Sequence, residues 1–420
     1  MRQSNKKPAP VVARQAGIVR REVAFTVLTP VLGGGVYVES DDSRRQIKPI
    51  DAVTPVRAAG VRGQLRFWWR AVHGARLPSI KAMREREALI WGAASSPGLV
   101  SISVDDRGLR TRELDVFQMV PNKMGTKYNG RVVGRGMEAI AYGAFPLKPA
   151  DGKPVKLTPG RLTDLSGEAQ LRWQISSSDA DLIAEVADAV DAWLAFGGVG
   201  GRTRRGFGAV GATQPIDVRA LNQRFCGLPG ERLVGVPAFG RGPLKLGPRE
   251  DDGIKALSYG LGRLRDFRQG TGEGMGRNPG LEDPRRPGRS RWPEAEAIRV
   301  KVRQGDPKYG RRQVGVDAFP RAQFGMPIIF HFQSFDDPRD QTLAPLDADR
   351  LASPLHLGCH STSTGMGVHA LVLSDGVQRD QASLSGITVQ TKLTRNQANW
   401  FKSPLTGEPD VLQAFLNFYA

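Results

Sequence analysis

The chain has 420 residues, 60 of them Lys or Arg against 42 Asp or Glu, giving a formal charge of +18 and a pI near 10.3. That length suits one large or two ordinary domains, and a 40% hydrophobic content supplies sizeable cores, which excludes wholesale disorder. A balance this basic points to a polyanionic partner: RNA, DNA or an acidic membrane surface.

Gly (50) and Pro (29) are abundant without a collagen period, so long loops are expected. No run approaches the roughly 18 apolar residues of a membrane span. The basic N-terminus (Arg2, Lys6, Lys7, Arg14, Arg20, Arg21) is not followed by the apolar stretch of a secretory signal. Two cysteines, Cys226 and Cys359, cannot build a disulfide framework and suit a reducing compartment. The expectation is a soluble, cytoplasmic, nucleic-acid-associated protein with no membrane partner.

In chain order, residues 1–21 read as a basic, poorly ordered arm. Val23, Phe25 and Val27 alternate as in a half-buried strand, which Thr29-Pro30 stops before the Gly33-Gly34-Gly35 loop. Leu65, Trp68, Trp69 and Val72 recur at i, i+3, i+4 and i+7, predicting a helix over 61–73. A short helix at 85–91 and a strand at 99–104 follow, then a polar, Gly-rich stretch near 121–168. Leu171, Trp173 and Ile175 alternate again, and Ser178 with Asp181 signals the cap of a further helix. That helix should bury Leu182, Val186, Val190, Trp193 and Leu194 and turn Asp181, Glu185, Asp188 and Asp191 to water. It ends at Gly197-Gly198, and 207–212 reads as a last strand.

This β-α-β, insertion, β-α-β order is the split βαβ or ferredoxin-like pattern, with both helices on one face of a four-stranded sheet and the other face free for a ligand. Beyond residue 216 the pattern is harder to read. An amphipathic helix carries Ile254, Leu257, Leu261 and Leu264 beside Lys255, Arg263, Arg265 and Arg268, and a Gly/Pro/Arg loop spans 269–293. Strand-like segments lie at 326–332, 367–373 and 386–393, with a C-terminal helix after Pro409. The reading is α+β with long Gly/Pro/Arg-rich loops: the arm, a domain at 22–215 and a second sheet-based domain at 216–420.

Three stretches carry charge in a form that suits phosphate. Between Ala52 and Arg84 there is no acidic residue, and Arg57, Arg62, Arg66 and Arg70 accompany the Trp/Leu face of the first helix. The last three are spaced by four, one stripe of guanidinium forks beside a helix N-terminus. Alternatively these side chains simply snorkel into solvent. The second stretch is Gly197–Gly208, where glycines permit close backbone approach and Arg202, Arg204 and Arg205 supply charge. It is neither a Walker loop nor a clean GxGxxG, so no nucleotide cofactor is expected. Arg205–Val210 partly echoes the RNP1 pattern of RNA-recognition modules, and Phe207 either stacks a base or closes a core. In the third, 277–312, 11 basic residues face 5 acidic ones. Arg289 and Arg291 with Trp292 either form part of a solvated loop or fold over RNA with the indole as a platform.

Catalytic candidates are few. His73 ends the first helix, either as a general acid or base for ribonuclease chemistry or as a partner for the helix dipole. His356, Cys359, His360 and His369 are ligand-type residues without a zinc spacing, so no metal is expected. The acidic pairs Asp41-Asp42, Asp105-Asp106, Asp251-Asp252 and Asp336-Asp337 fall at predicted turns.

Three motifs taken together resemble a known family. They are Thr29-Pro30 with Gly33–Gly35, Val61–Arg70 (VRGQLRFWWR) and Gly197–Gly208 (GGVGGRTRRGFG). Phe267–Gly270, Gly288–Glu294 and Phe319–Gly325 extend the likeness. The family is that of the first-numbered Cmr subunits of type III-B CRISPR effectors, within the RAMP superfamily. The resemblance implies two tandem ferredoxin-like (RRM-like) domains and a non-catalytic subunit without cofactor. Its implied partners are guide RNA near the 3′ end, target RNA and other RAMP subunits. The family's Gly/Arg loop maps to Arg202, Arg204, Arg205 and Phe207, and its helix arginines to Arg62, Arg66 and Arg70. The loop departs from the usual Gly-Ala-Arg-Ser in reading Gly-Gly-Arg-Thr (200–203). A metal-independent RAMP endoribonuclease using His73, and a basic component of some other ribonucleoprotein, are the competing readings.

Overall fold

The structure, a computed structural model, describes residues 17–35, 50–51, 53–149, 161–240, 244–269, 292, 294–302, 316–332, 338–377, 379–400, 405 and 407–420. The first half runs β1 (Ile18–Val27), α1 (Ala58–Val72), α2 (Ile80–Trp91), β2 (Val100–Asp105), β3 (Arg110–Asp115), β4 (Phe117–Pro121), β5 (Tyr128–Val132), α3 (Glu138–Gly143), β6 (Arg161–Ser166), β7 (Ala169–Ser176), α4 (Ala180–Phe196), β8 (Val210–Ala212) and α5 (Val218–Cys226). β1 starts at Ile18, so Arg20 and Arg21, expected in the arm, are strand residues; the arm's first 16 residues lie outside the described ones.

β2, β7, β1 and β8 form one antiparallel sheet in that order. This is the split βαβ arrangement, because each crossover returns its strand to the far side of a neighbour. Ala169, Leu171, Trp173 and Ile175 are buried in strict alternation along β7. They share one core with Phe25 of β1, Leu65, Trp68 and Trp69 of α1, and Val186 and Trp193 of α4. α5 and residues 236–239 also enter this core through Phe225, Val236 and Phe239.

Two details of α4 differ from expectation. Its cap is Asp179, whose carboxylate accepts from the Asp181 and Leu182 amides, not Ser178. Nor do its acids all face water. Asp188 is buried between His73 and Arg224, and Glu185 accepts from Trp69 Nε1 and Arg86. Between β2 and β7 lie two antiparallel pairs, β3 with β6 and β4 with β5; only β5 and β6 fall wholly within the polar stretch at 121–168.

The second half comprises β9 (Lys245–Glu250), α6 (Gly253–Gln269), α7 (Glu294–Val302), β10 (Ile328–Phe330), β11 (Gln341–Ala344), β12 (Leu355–Thr362), β13 (Gly365–Val372), β14 (Gln381–Leu384), β15 (Ile387–Gln390), α8 (Arg395–Trp400) and α9 (Val411–Tyr419). β12, β13 and β9 form a three-stranded antiparallel sheet, while β10, β11, β14 and β15 form a separate four-stranded one with its own core. α6 and α9 share a core with Leu355, Leu357 and Ala370 of β12 and β13. This half is α+β like the first, and its β12-β13-β9 order parallels the β2-β7-β1 order of the first sheet, with α6 and α9 in the places of the helices. Leu371 and Leu373 enter the first core, so the two halves are packed together.

Candidate nucleic-acid interface

The Gly197–Gly208 loop is stitched to the end of β1 by one buried hydroxyl. Thr29 Oγ1 donates to the Gly206 carbonyl at 2.6 Å and accepts from the Ala209 amide at 2.8 Å. The Gly208 amide donates to the Pro30 carbonyl and the Gly201 amide to that of Leu32. On the other side the Leu357 amide of β12 donates to the Arg204 carbonyl at 3.0 Å. Backbone packing here leaves no room for side chains. A Cβ on Gly34 would meet the Gly200 Cα at 2.9 Å, and one on Gly208, at φ +61°, would meet the Val199 carbonyl oxygen at 2.1 Å.

The same loops border the N-terminus of α1. Gly33, Gly34, Arg57, Gly60, Gln64 and Gly200 are among the residues around a cavity of about 170 Å³. Arg57, the N-cap residue, provides no side-chain cap, and no acidic residue occupies the first turn. Among the described residues no side chain caps the first-turn amides, so the helix presents them and its positive dipole end to this space. Arg57 closes one side by donating to the Gly34 carbonyl at 2.6 Å.

The stripe on α1 is not uniform, which corrects the expectation of four unpaired charges. Arg66 Nε and Arg70 Nη2 each lie 2.6 Å from a carboxylate oxygen of Glu87, a buried residue on α2. Burial pushes Glu87 up, but the Arg70 and Arg66 guanidiniums outweigh it and hold the carboxyl below its usual range. Arg62 donates to the Trp91 carbonyl at 2.6 Å. Neither Arg57 nor Arg62 forms an ion pair among the described residues, although the Arg57 charge reaches the Asp51 carboxylate.

The loop arginines are held by carbonyls too. Arg202, at φ 55°, donates through Nη1 to Gly143, and Arg204 donates through Nη1 to Ser353 while lying 5.2 Å over the Phe67 ring. Arg205 is the most enclosed. Its Nη1 is buried without a hydrogen-bond partner among the described residues. Burial, reinforced by the charge of Arg268, pulls its guanidinium down to about 9, still cationic at neutral pH. Arg268, in the last turn of α6, lies over the Phe324 ring at 5.8 Å. The structure thus brings Arg202, Arg204 and Arg268 within electrostatic range of Arg205.

Two aromatic candidates are core residues. Phe207 is fully buried against α3 and α6, with Ile140 and Leu261 in its cluster, so it closes a core and does not face a base. Trp292 is likewise buried beside Phe267 and donates Nε1 to the Phe267 carbonyl at 2.7 Å, which removes it as an exposed platform. Arg289 and Arg291 lie outside the described residues. The outer face of the first sheet also differs from an RNA-recognition module. The side chains there include Arg20, Glu22, Arg172 and Gln174, joined as Arg20–Gln174 and Arg172–Glu22, while Trp173 of the same strand is turned to the core.

His73 Nε2 sits 2.8 Å from Asp188, which also holds Arg224, so its ring is tied into the α1–α4 seam. His356, Cys359, His360 and His369 lie on β12 and β13; His360 and His369 face each other with Nδ1 atoms 3.2 Å apart. No group of three potential ligands is arranged to hold a metal ion among the described residues. Asp105 pairs with Arg107 and Arg172, and Asp106 accepts from the Val56 amide. Asp251 pairs with Lys255 and Asp252 accepts from the Ile254 amide. The other two acidic pairs fall outside the described residues.

One cationic element escaped the sequence reading. The β4–β5 hairpin carries exposed Lys123, Lys127 and Arg131, with Arg135 just beyond and an exposed Met124 at its turn. None of the four forms an ion pair among the described residues. The available signal was the absence of any Asp or Glu between Val116 and Met137.

Residues 24–211, from the end of β1 through the Gly/Arg loop, match the model of the RAMP superfamily. This region is a RAMP domain. No curated protein matches the chain by sequence. Among solved structures, apo Cmr1 from Pyrococcus furiosus aligns over 92% of this chain and 96% of its own, at 14% identity and a TM-score of 0.41. A chain of the type III-B Cmr-beta complex bound to cognate target RNA aligns over 95% and 99%, at 10% identity and a TM-score of 0.49. Cmr6 from Pyrococcus furiosus aligns over 46% and 98%, at 12% identity and a TM-score of 0.24. The RAMP domain here includes the Thr29 stitch, the α1 stripe and the Gly/Arg loop. No helix among the described residues is long and apolar enough to cross a membrane.

Proposed function

We propose that the chain is a non-catalytic RNA-binding subunit of a type III-B CRISPR (Cmr) RNA-guided interference complex. On this reading it holds the 3′ part of the guide RNA and the paired target RNA beside other RAMP subunits. The RAMP domain and the motif combination at 29–35, 61–70 and 197–208 support it. One observation carries it: Arg57, Arg62, Arg202 and Arg204 are positioned by backbone carbonyls, not carboxylates. A carbonyl orients a guanidinium and leaves its net charge available to phosphate. Around a glycine-lined bend and an uncapped helix end, such charges suit a sugar–phosphate strand of any sequence.

The test is the salt dependence of single-stranded RNA binding by the purified protein. With about five to eight phosphates neutralised, the log–log slope should fall near −4 to −6, at about −0.7 per contact. A slope near zero overturns the reading.

A further inference from the structure

A second cavity, of about 330 Å³, lies between the RAMP domain and the second half. Phe67 and Arg70 of α1 and Arg204 of the Gly/Arg loop form one side; Ser353, Pro354 and His356 contribute to the other. The volume falls within the roughly 300–1,000 Å³ typical of small-ligand sites. Its chemistry is divided. Pro354 and the buried Leu373 give apolar wall, and His356 stacks on Phe67 with centroids 5.7 Å apart. Arg204 lies against the same Phe67 ring, its planar guanidinium anchored by the Ser353 carbonyl. Arg70, with a side chain 42% exposed, brings a second guanidinium to the rim; Glu87 holds its Nε and Nη2, so Nη1 is the nitrogen left for a phosphate. Asp375 offers a carboxylate acceptor, although Arg379 already shares it.

We infer that this cleft receives one unstacked nucleotide, its base against the apolar wall and the Arg204 plane and its phosphate toward Arg70. The inference rests on the RNA-binding reading and adds to it a single-nucleotide subsite between the two halves. A guanidinium already backed by an aromatic ring is a preformed platform for a base, because its plane is fixed before binding. The two cations and one acceptor match a phosphate and an exocyclic amine better than they match an apolar or purely cationic ligand. The base comes from the bound strand, since Arg202 and Arg204, which the proposed strand contacts, belong to the same loop.

The experiment uses the full chain and a set of single-stranded RNAs, each with 2-aminopurine at one position. Binding is followed by anisotropy and base stacking by 2-aminopurine emission. One position should change emission on binding. The change should disappear in Ala352→Trp, which places a large ring at the exposed rim, and in Arg204→Lys, which keeps the charge and loses the plane. Affinity should drop only about five- to tenfold, the scale of one lost base contact. Melting curves like that of the parent confirm that both variants are folded. Equal emission at every position, or a position-specific change that survives in Ala352→Trp, overturns the subsite while anisotropy still reports binding. Absence of any anisotropy change at low salt instead removes the RNA-binding reading itself. An AMP titration separates the two sources: protection of Arg204 from arginine-selective modification by AMP but not by RNA would make the cleft a free-nucleotide site and overturn strand insertion.

Discussion

The two arginine clusters of the RAMP domain look alike in sequence and differ in three dimensions. On α1, Arg66 and Arg70 share a buried carboxylate, Glu87, which cancels part of the stripe's charge. In the Gly/Arg loop, Arg202 and Arg204 rest on carbonyls, and Arg205 has a buried Nη1 without a hydrogen-bond partner among the described residues. The first cluster is a helix surface with a counter-ion built in. The second is a set of cations forced together by glycine turns, and an incoming phosphate would relieve their mutual repulsion. Counting basic residues therefore overstates the helix and understates the loop.

The comparison breaks most sharply at the backbone of the loop. Gly208→Ala drives a Cβ into the Val199 carbonyl at a left-handed φ, so the chain cannot keep its course. A loss of about 3 kcal/mol or more is expected, with a clear fall in melting temperature. Gly63→Ala on α1, where a Cβ meets nothing within 4 Å, should leave the melt unchanged or slightly raised. Equal stability of the two variants would mean that the loop is not clamped.

Acid should separate the clusters next. Burial drives His356 and His369 well below 6.5 and His360 to about 4, and Arg204 and Arg205 push His356 further down. The unfolded chain takes up these protons as pH falls below about 6.5, whereas the folded chain resists. Stability is thus complete above that value and declines on acidification, by about 1.4 kcal/mol per pH unit for each histidine, levelling off for His360 only below about 4. Denaturant melts between pH 7.5 and 5 check the sign. His356→Phe should flatten the profile.

Glu87 tests whether the helix stripe is restrained. Glu87→Gln keeps the size of the side chain and removes the counter-charge, so the full charge of Arg66 and Arg70 becomes available to phosphate. RNA affinity at low salt should rise about two- to fivefold and the salt slope should steepen, with some loss of thermal stability. A fall in affinity would show instead that Glu87 holds the two forks in their binding geometry.

What was legible followed from local period. The i, i+3, i+4, i+7 spacing of Leu65, Trp68, Trp69 and Val72 specifies α1, and the alternation of Leu171, Trp173 and Ile175 specifies β7, because each period maps directly onto one buried face. The glycine-arginine loop was legible as an unusual composition. The Glu87 pairing was not, since its partners sit 17 and 21 residues away on another helix. Phe207 and Trp292 were ambiguous for a related reason. An aromatic ring among arginines has the same sequence signature whether it faces solvent or a core, and only the packing of α3 and α6 decides for Phe207. β3 to β6 were missed because their strands are short, polar and paired away from the main sheet.

The smallest effect distinguishes cations within α1. Arg62 is exposed, held by the Trp91 carbonyl and free of any ion pair among the described residues, whereas Arg66 is neutralised by Glu87. If phosphate contact follows available charge, Arg62→Ala should reduce the magnitude of the salt slope by about 0.7, one contact's worth, and Arg66→Ala by clearly less. Both variants should bind different sequences with equal loss, since phosphate carries no base identity. Parallel titrations at several salt concentrations read the difference directly. If Arg66→Ala lost as much slope as Arg62→Ala, the strand would be displacing Glu87 from the guanidinium on binding, and the pair would be a latch that opens for phosphate instead of a standing neutralisation.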